Sequence, residues 1–318
     1  GRGKVPGTVE ELGLPGLMKY YITGHTETTK AQLHLAEAGK LELHVLPQGV
    51  MTHILEAQGR GESFIRSEVG VDTFIDPRTG RGSPVTQPAT FQLVQPDGNM
   101  LRYTMPVPDF VLINAPYADR DGNIYFHHAS SLSENIPAAT AARANGGKVF
   151  VTVSGIIPKD ENRISMPGET VDHIVVHPYN EQTASVRQKR YWPMFTPGSA
   201  VDFEKAGANL KFINTFLKIT PVRDATDDAL TRMAAELFAA EVPKGSMLNI
   251  GVGYPEEVAR HLVLQGLGHD LLFTTEAGSY GGQPVPGIFF GSALAPEKLI
   301  SSAEMFRLYE HELGAAVL

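Results

Sequence analysis

The sequence predicts an α/β protein built of two similar, doubly wound, largely parallel-sheet halves. Three observations lead there. Short apolar, β-branched runs alternate with helical stretches, the mark of strands covered on both faces. The alternation resumes after residue 226 and includes a strand–glycine turn–helix–strand unit at 246–276. The chain has 318 residues, length enough for about two domains of ~150 residues.

The elements follow in order. "TKAQLHLAEAGKLE" (29–42) reads as a helix with Gly39 near its end. "LELHVLPQG" (41–49) is a strand stopped by Pro47 and Gly49. "GVMTHILEAQGRG" (49–61) places Val50, Ile54 and Leu55 at helical spacing and closes on glycines. "DFVLINAPYADRDGNIYF" (109–126) is a strand, a turn at Asp121-Gly122 and a short second strand. "IPAATAARANGG" (136–147) is an Ala-rich helix, "KVFVTVSG" (148–155) a strong strand and "VDHIVVHP" (171–178) another. Residues 179–225 show no clean periodicity and read as an inter-domain segment. In "TDDALTRMAAELFAAEV" the residues Leu230, Met233, Leu237 and Phe238 share one helical face, with Thr226 as the expected N-cap.

Composition narrows the function. Hydrophobic residues make 42% of the chain and charged ones 19%, as in a soluble globular protein. The formal charge of −8 disfavours a nucleic-acid binder. With no cysteine there is no disulfide, thiolate nucleophile or cysteine metal site, which fits a reducing, cytoplasmic compartment. No apolar run reaches the ~18 residues of a membrane helix, and the polar start "GRGKVPGTVEELG" is no signal peptide. That start and the apolar final residues suggest a fragment. Metal binding is not expected. His127 and His128 would face opposite sides of a strand, and there is no His-Glu-x-x-His. "RQKRYW" (187–192) reads as a solvated linker, with contact to phosphates as a minor alternative.

The unit 246–276 holds the chemistry. "LNIGVGYPEEVA" carries a strand into Gly251-Val252-Gly253 and then a helix, with Pro255, Glu256 and Glu257 suited to its first turn. A crossover makes the flanking strands parallel, so that turn and Glu276 should share the carboxyl edge where open α/β sheets bind ligands. Three readings of Glu276 stand. It could cap the turn that follows. It could hold a ribose hydroxyl in a dinucleotide site, an acid about 25 residues beyond G-x-G, though Glu256 replaces the third glycine. Or it could be a nucleophile toward an activated acyl group, with Gly278, Gly281 and Gly282 allowing close backbone approach and Pro284 and Pro286 stiffening the loop.

Here the sequence resembles the family I CoA-transferases of the single-chain fused type. "MLNIGVGYPEEVA" is similar to the signature that opens the family's second half, and "TTEAGSYGGQPVPGIFFGSALAPE" to its catalytic-glutamate segment. "HVLPQGVMTHILEAQGRGESFIRSEVGVDTFIDPR", "ADRDGNIYF" and "MPGETVDHIVV" match first-half landmarks in collinear order. The resemblance implies the following. Residues 1–190 form an α-subunit-like half, 191–225 a connection and 226–318 a truncated β-subunit-like half, with the active crevice between the halves. Glu276 is the catalytic glutamate. Gln48, Gly70, Gly251, Gly253, Gly278, Gly281 and Gly282 line the substrate site. The reaction moves CoA between a short-chain acyl-CoA and a small carboxylate, as in short-chain fatty acid or ketone body metabolism. CoA is a substrate, no cofactor or metal is needed, and the enzyme is a homo-oligomer. Family members begin with a further strand and glycine-rich loop and continue beyond Leu318. An acyl-CoA hydrolase and a non-catalytic CoA- or nucleotide-binding relative are the alternatives.

Overall fold

The computed structural model describes residues 9–26, 29–180, 192–216, 223–251, 253–268, 270–285 and 287–317. In chain order the elements are β1 (Tyr20–Thr23), α1 (Lys30–Glu37), β2 (Glu42–Val45), α2 (Gln48–Gly59), β3 (Ile65–Ser67), β4 (Val94–Asp97), β5 (Met100–Tyr103), β6 (Phe110–Ala118), β7 (Ile124–Tyr125), α3 (Asn135–Ala144), β8 (Lys148–Ile156) and β9 (His173–Val176). They continue with α4 (Phe203–Phe216), α5 (Ala225–Glu241), β10 (Met247–Ile250), α6 (Tyr254–Leu264), β11 (Leu272–Thr274), β12 (Ser279–Tyr280), β13 (Gln283–Pro284), β14 (Ala293–Leu294), β15 (Lys298–Leu299), α7 (Ser302–Glu312) and β16 (Leu313–Val317). The chain is mixed α/β, and it separates into two compact units.

The first unit takes residues up to Val111 together with Pro137–Lys148. Strands β1 and β2 run parallel, Tyr20 opposite Glu42 and Thr23 opposite Val45. A parallel pair needs a crossover, and α1 supplies it. The antiparallel sheet β3-β5-β4 completes the unit. Its core holds Leu46, Val50, Ile54, Ile75, Leu101 and Tyr103, so the helical spacing in α2 does mark a buried face. Helix α3 lies on α2, where Asn145 donates to the Gln58 carbonyl at 3.0 Å. There Gly59 comes so near Thr140 that a Cβ would sit 3.0 Å from its methyl.

The second unit takes Leu112–Ile136 and the chain from Val149 onward. A four-stranded sheet runs β7-β6-β8-β9, with β8 and β9 parallel and the β6–β7 hairpin antiparallel. A five-stranded sheet runs β15-β12-β11-β10-β16. Its centre, β10, is parallel to both neighbours, while β12 and β15 are antiparallel. As the middle strand, β10 buries Met247, Leu248 and Ile250. The core against it gathers Ala235, Val258, Ala259, Leu262 and Phe273 from α5, α6 and β11.

Four sequence expectations need correction. The stretch without periodicity contains α4, whose buried Ala206 and Leu210 pack with Phe195, Val285 and Phe289. The N-cap of α5 is Asp224, not Thr226. Its carboxylate accepts from the amides of Thr226 at 2.8 Å and Asp227 at 2.9 Å, and Asp227 returns a bond to the Asp224 amide, a reciprocal capping box. The face of α5 that packs is Thr231, Ala235 and Phe238, whereas Leu230, Met233 and Leu237 are 55%, 64% and 64% exposed. Small side chains let α5 approach α6 closely, and that proximity outweighs the larger apolar stripe. His127 and His128 lie in a turn after β7 with ring centroids 4.3 Å apart, not on opposite faces of a strand.

Candidate functional site

The site forms where the parallel strands of the second unit end. Register aligns Met247 with Leu272, Leu248 with Phe273 and Asn249 with Thr274. Ile250–Gly251 and Thr275–Glu276 therefore emerge side by side at the carboxyl edge, as a crossover unit requires. The Gly251 amide donates to the Val317 carbonyl at 2.8 Å, which ties this edge to β16. Gly253 then starts α6 in a backbone conformation, φ 100°, that few other residues adopt.

Glu276 is held from both sides. Before it, the Thr274 hydroxyl donates to the Leu248 carbonyl at 2.6 Å and meets the Tyr309 hydroxyl at 2.9 Å. The Thr275 hydroxyl donates to the Gly291 carbonyl at 3.0 Å, and the Thr275 carbonyl accepts from the Gly278 amide at 2.9 Å. After it, the Ala277 carbonyl accepts from the Ser133 amide at 3.1 Å. Glu276 is half-buried. Tyr309 registers it: burial raises the phenol's pKa above its ordinary value, the Thr274 hydroxyl opposes this and the charge of Glu276 adds to it.

Glu276 lines a small crevice that opens to solvent. Its lining mixes apolar side chains from Ile250, Pro284, Val285 and Phe290 with the hydroxyls of Thr275 and Ser292, and Gly251 and Gly291 bring backbone close. A second carboxylate lines it too. Glu256, in the first turn of α6, is 9% exposed and accepts the Gly287 amide at 3.0 Å. That bond pins the wall at Gly287 onto α6. The far side of this wall is anchored by Phe289, packed against Trp192 and Phe195 at centroid distances of 5.6 Å each.

The expected site residues fall into three groups. Gly251 and Glu276 line the crevice, and Gly253 caps the adjoining helix. Gly278, Gly281 and Gly282 shape the turns behind Glu276. The amides of Gly278 and Gly281 bond to the carbonyls of Thr275 and Phe273, both at 2.9 Å. Gln48 and Gly70 belong to the first unit. Gln48 opens α2 just past the end of β2, and Gly24 packs on it with a would-be Cβ contact of 3.1 Å. Gly70 has φ 89° beside Tyr103, whose hydroxyl donates to the Val69 carbonyl at 2.5 Å. Residues 187–191 of the basic-aromatic stretch lie outside the described residues. Trp192 joins the aromatic anchor.

Glu256 was expected only as a helix-start acid, and Phe290, Ser292 and Tyr309 carried no expected role. Glu256 was legible as a helix-start acid, and its place one turn beyond the glycine loop pointed to the same edge. Phe290 and Ser292 lie inside the segment that resembles the family's catalytic-glutamate stretch without a pattern that singles them out, and Tyr309 arrives from α7. Among the described residues, no group of three or more His, Asp or Glu side chains is placed to share a metal ion. No helix among them is long and apolar enough to cross a membrane.

The comparisons with known proteins agree on one group. A family model described as coenzyme A transferase matches residues 9–177. The caffeate CoA-transferase of Acetobacterium woodii is 30% identical over 94% of this chain and 55% of its own length. The acetate CoA-transferase YdiF of Escherichia coli (strain K12) is 27% identical over 95% of this chain and 54% of its own. The chain thus spans about half the length of the curated relatives it matches. Its fold matches the crystal structure of the acyl-CoA transferase YdiF apoenzyme from Escherichia coli O157:H7, with a TM-score of 0.77 and 24% identity over 95% of this chain and 54% of that one. The same protein in a thioester complex with CoA matches with a TM-score of 0.75 over 95% of this chain and 56% of that one.

Proposed function

Since the chain belongs to the coenzyme A transferase family, we propose that it moves CoA between a short-chain acyl-CoA and a carboxylate through a covalent glutamyl-CoA thioester at Glu276. One observation carries the reading. The half-buried Glu276 stands at the carboxyl edge of two parallel strands, lining a crevice of mixed apolar and polar character beside a glycine turn. Partial burial holds the side chain in place while leaving its carboxylate open to a substrate, which suits a nucleophile facing an activated acyl carbon.

The steps balance without a cofactor. The Glu276 carboxylate attacks the thioester carbonyl, CoA leaves as thiolate, and an acyl-glutamyl anhydride forms. The thiolate then attacks the glutamyl carbonyl and expels the acyl group as a free carboxylate, leaving glutamyl-CoA. An acceptor carboxylate takes the CoA by the reverse sequence. The bonds of Thr274 and Thr275 hold the Glu276 backbone in place through both attacks. Gln48, Gly70 and the glycines around Glu276 are assigned to substrate contact by their motif matches. The α-subunit-like half is residues 1–190, and the β-subunit-like part begins at 226. The thioester complex with CoA known for the E. coli O157:H7 protein is in keeping with this chemistry.

The test is CoA transfer from acetyl-CoA to butyrate, compared with CoA release when no acceptor is present. Transfer well above release is expected, and Glu276→Ala should lower it by at least about a thousandfold. Steady CoA release without acceptor would favour a hydrolase. Unchanged transfer in Glu276→Ala would remove the proposed nucleophile.

A further inference from the structure

We propose that Ser133 is a positioning residue for Glu276: held in the left-handed backbone region, it staples the chain leaving that carboxylate to the start of α7 and so fixes the nucleophile's pose. This rests on Glu276 being the nucleophile of the proposed reaction, and it adds a residue on which that reaction depends. Ser133 lies in the turn between β7 and α3, far from Glu276 in sequence. Its φ is 50°, a conformation that residues other than glycine seldom adopt. Strain of this kind persists only where the surroundings enforce it, and it gathers at functional sites.

What enforces it is a closed ring of backbone hydrogen bonds. The Ser133 amide donates to the Ala277 carbonyl at 3.1 Å, one residue past Glu276. The Ser133 carbonyl accepts from the Ser302 amide at 3.0 Å, at the start of α7. The ring closes where the Ile300 amide donates to the Gly278 carbonyl at 2.9 Å. Ser302 is wholly buried, which anchors that side of the ring in packing. The turn at Ser133 is pinned as well, since the Asn135 side chain donates to the Leu132 carbonyl at 2.9 Å. Thr274 and Thr275 hold the chain that enters Glu276. The ring holds the chain that leaves it, through the successive carbonyls of Ala277 and Gly278. Both grips matter, because a misplacement of ~1 Å at a reacting group can cost about a hundredfold in rate. The bonds are the backbone's, so the side chain at position 133 acts through the φ it permits. Glycine reaches positive φ readily, whereas a β-branched residue resists it.

The experiment compares the parent protein with Ser133→Gly and Ser133→Val. Three quantities are read: the rate of CoA adduct formation on Glu276 at saturating acetyl-CoA, the affinity for acetyl-CoA, and hydrogen exchange of the Gly278 amide by NMR. Ser133→Val is expected to slow adduct formation at least about tenfold, to leave affinity within about threefold, and to speed Gly278 exchange at least about tenfold. Ser133→Gly should stay within about threefold of the parent in all three. A residue that only held the fold together would lower rate and affinity in step. An unchanged rate in Ser133→Val, a matching loss of affinity, or an equal loss in Ser133→Gly overturns the inference. If the valine variant does not fold, exchange in the parent decides. The Ser133 and Ser302 amides should then be protected at least about a hundredfold, and free exchange at either overturns the staple. A parent that never gains the adduct defeats the transferase reading, and Gly278 exchange in Ser133→Val still decides the staple. A parent that gains the adduct no faster than the valine variant defeats this inference alone.

Discussion

Gly278 stands two residues past Glu276 with φ 104°, and a Cβ there would lie 1.9 Å from the Ile300 carbonyl oxygen. The atom in the way is backbone, held by the bond from the Ile300 amide to the Gly278 carbonyl at 2.9 Å. Gly278→Ala should therefore destabilise the protein by about 2 kcal/mol or more, from strain at positive φ plus the collision. Thermal melting checks this, and a melting point within a degree of the parent would contradict the described turn. A second residue-scale prediction concerns acid. Asp76 is wholly buried by its surface exposure, and Arg78 grips it through Nε at 2.9 Å and Nη2 at 2.7 Å. The Arg78 hydrogen bonds, chiefly, hold its carboxyl far below the ordinary 3.8, and backbone amides of Arg78 and Asp72 assist. A depressed folded pKa gives stability that is fully present above the unfolded value and lost as pH falls toward the folded one. Melting temperature should accordingly drop as pH falls below 3.8, and Asp76→Asn should flatten that drop. Parallel pH profiles of parent and variant would refute the pairing.

At the scale of elements, α5 separates propensity from packing. Its apolar residues suggest a buried stripe at Leu230, Met233 and Leu237, yet these are exposed, and Thr231 with Ala235 takes the contact with α6. Met233→Glu should shift stability by no more than about 0.5 kcal/mol, whereas Ala235→Leu should cost about 1–3 kcal/mol by forcing the helices apart. Urea unfolding distinguishes the two, and an equal loss for both would restore the stripe to the core. Elements with strong local signals were legible. The β10–α6–β11 unit showed in its apolar strands, glycine turn and acidic first turn, and the carboxyl-edge position of Glu276 followed from topology alone. Helix α4 was not legible, because its buried positions, Ala206, Leu210 and the polar Asn214, are few and its exposed face carries Phe212 and Phe216. Apolar residues on both sides blur the period that reveals a helix.

At the scale of the molecule, the candidate site was half legible. Glu276 and Gly251 were found because a crossover unit dictates where its loops emerge. Ser292 sits in the glutamate segment itself but nothing local singles it out, and Tyr309 reaches the strand beneath the crevice from α7, a path no local pattern announces. Glu256 shows a subtler limit. Its helix-start position was plain, but a charge read as serving the helix dipole proves to be buried in the crevice wall. The central claim is that Glu276 becomes covalently bonded to CoA. The most direct measurement is intact mass spectrometry of the protein after incubation with acetyl-CoA and no acceptor, followed by peptide mapping. The account predicts a gain equal to CoA less one water, on the peptide containing Glu276 and lost in Glu276→Ala. A folded protein that binds acetyl-CoA yet never gains that mass, or carries it on another residue, would contradict it.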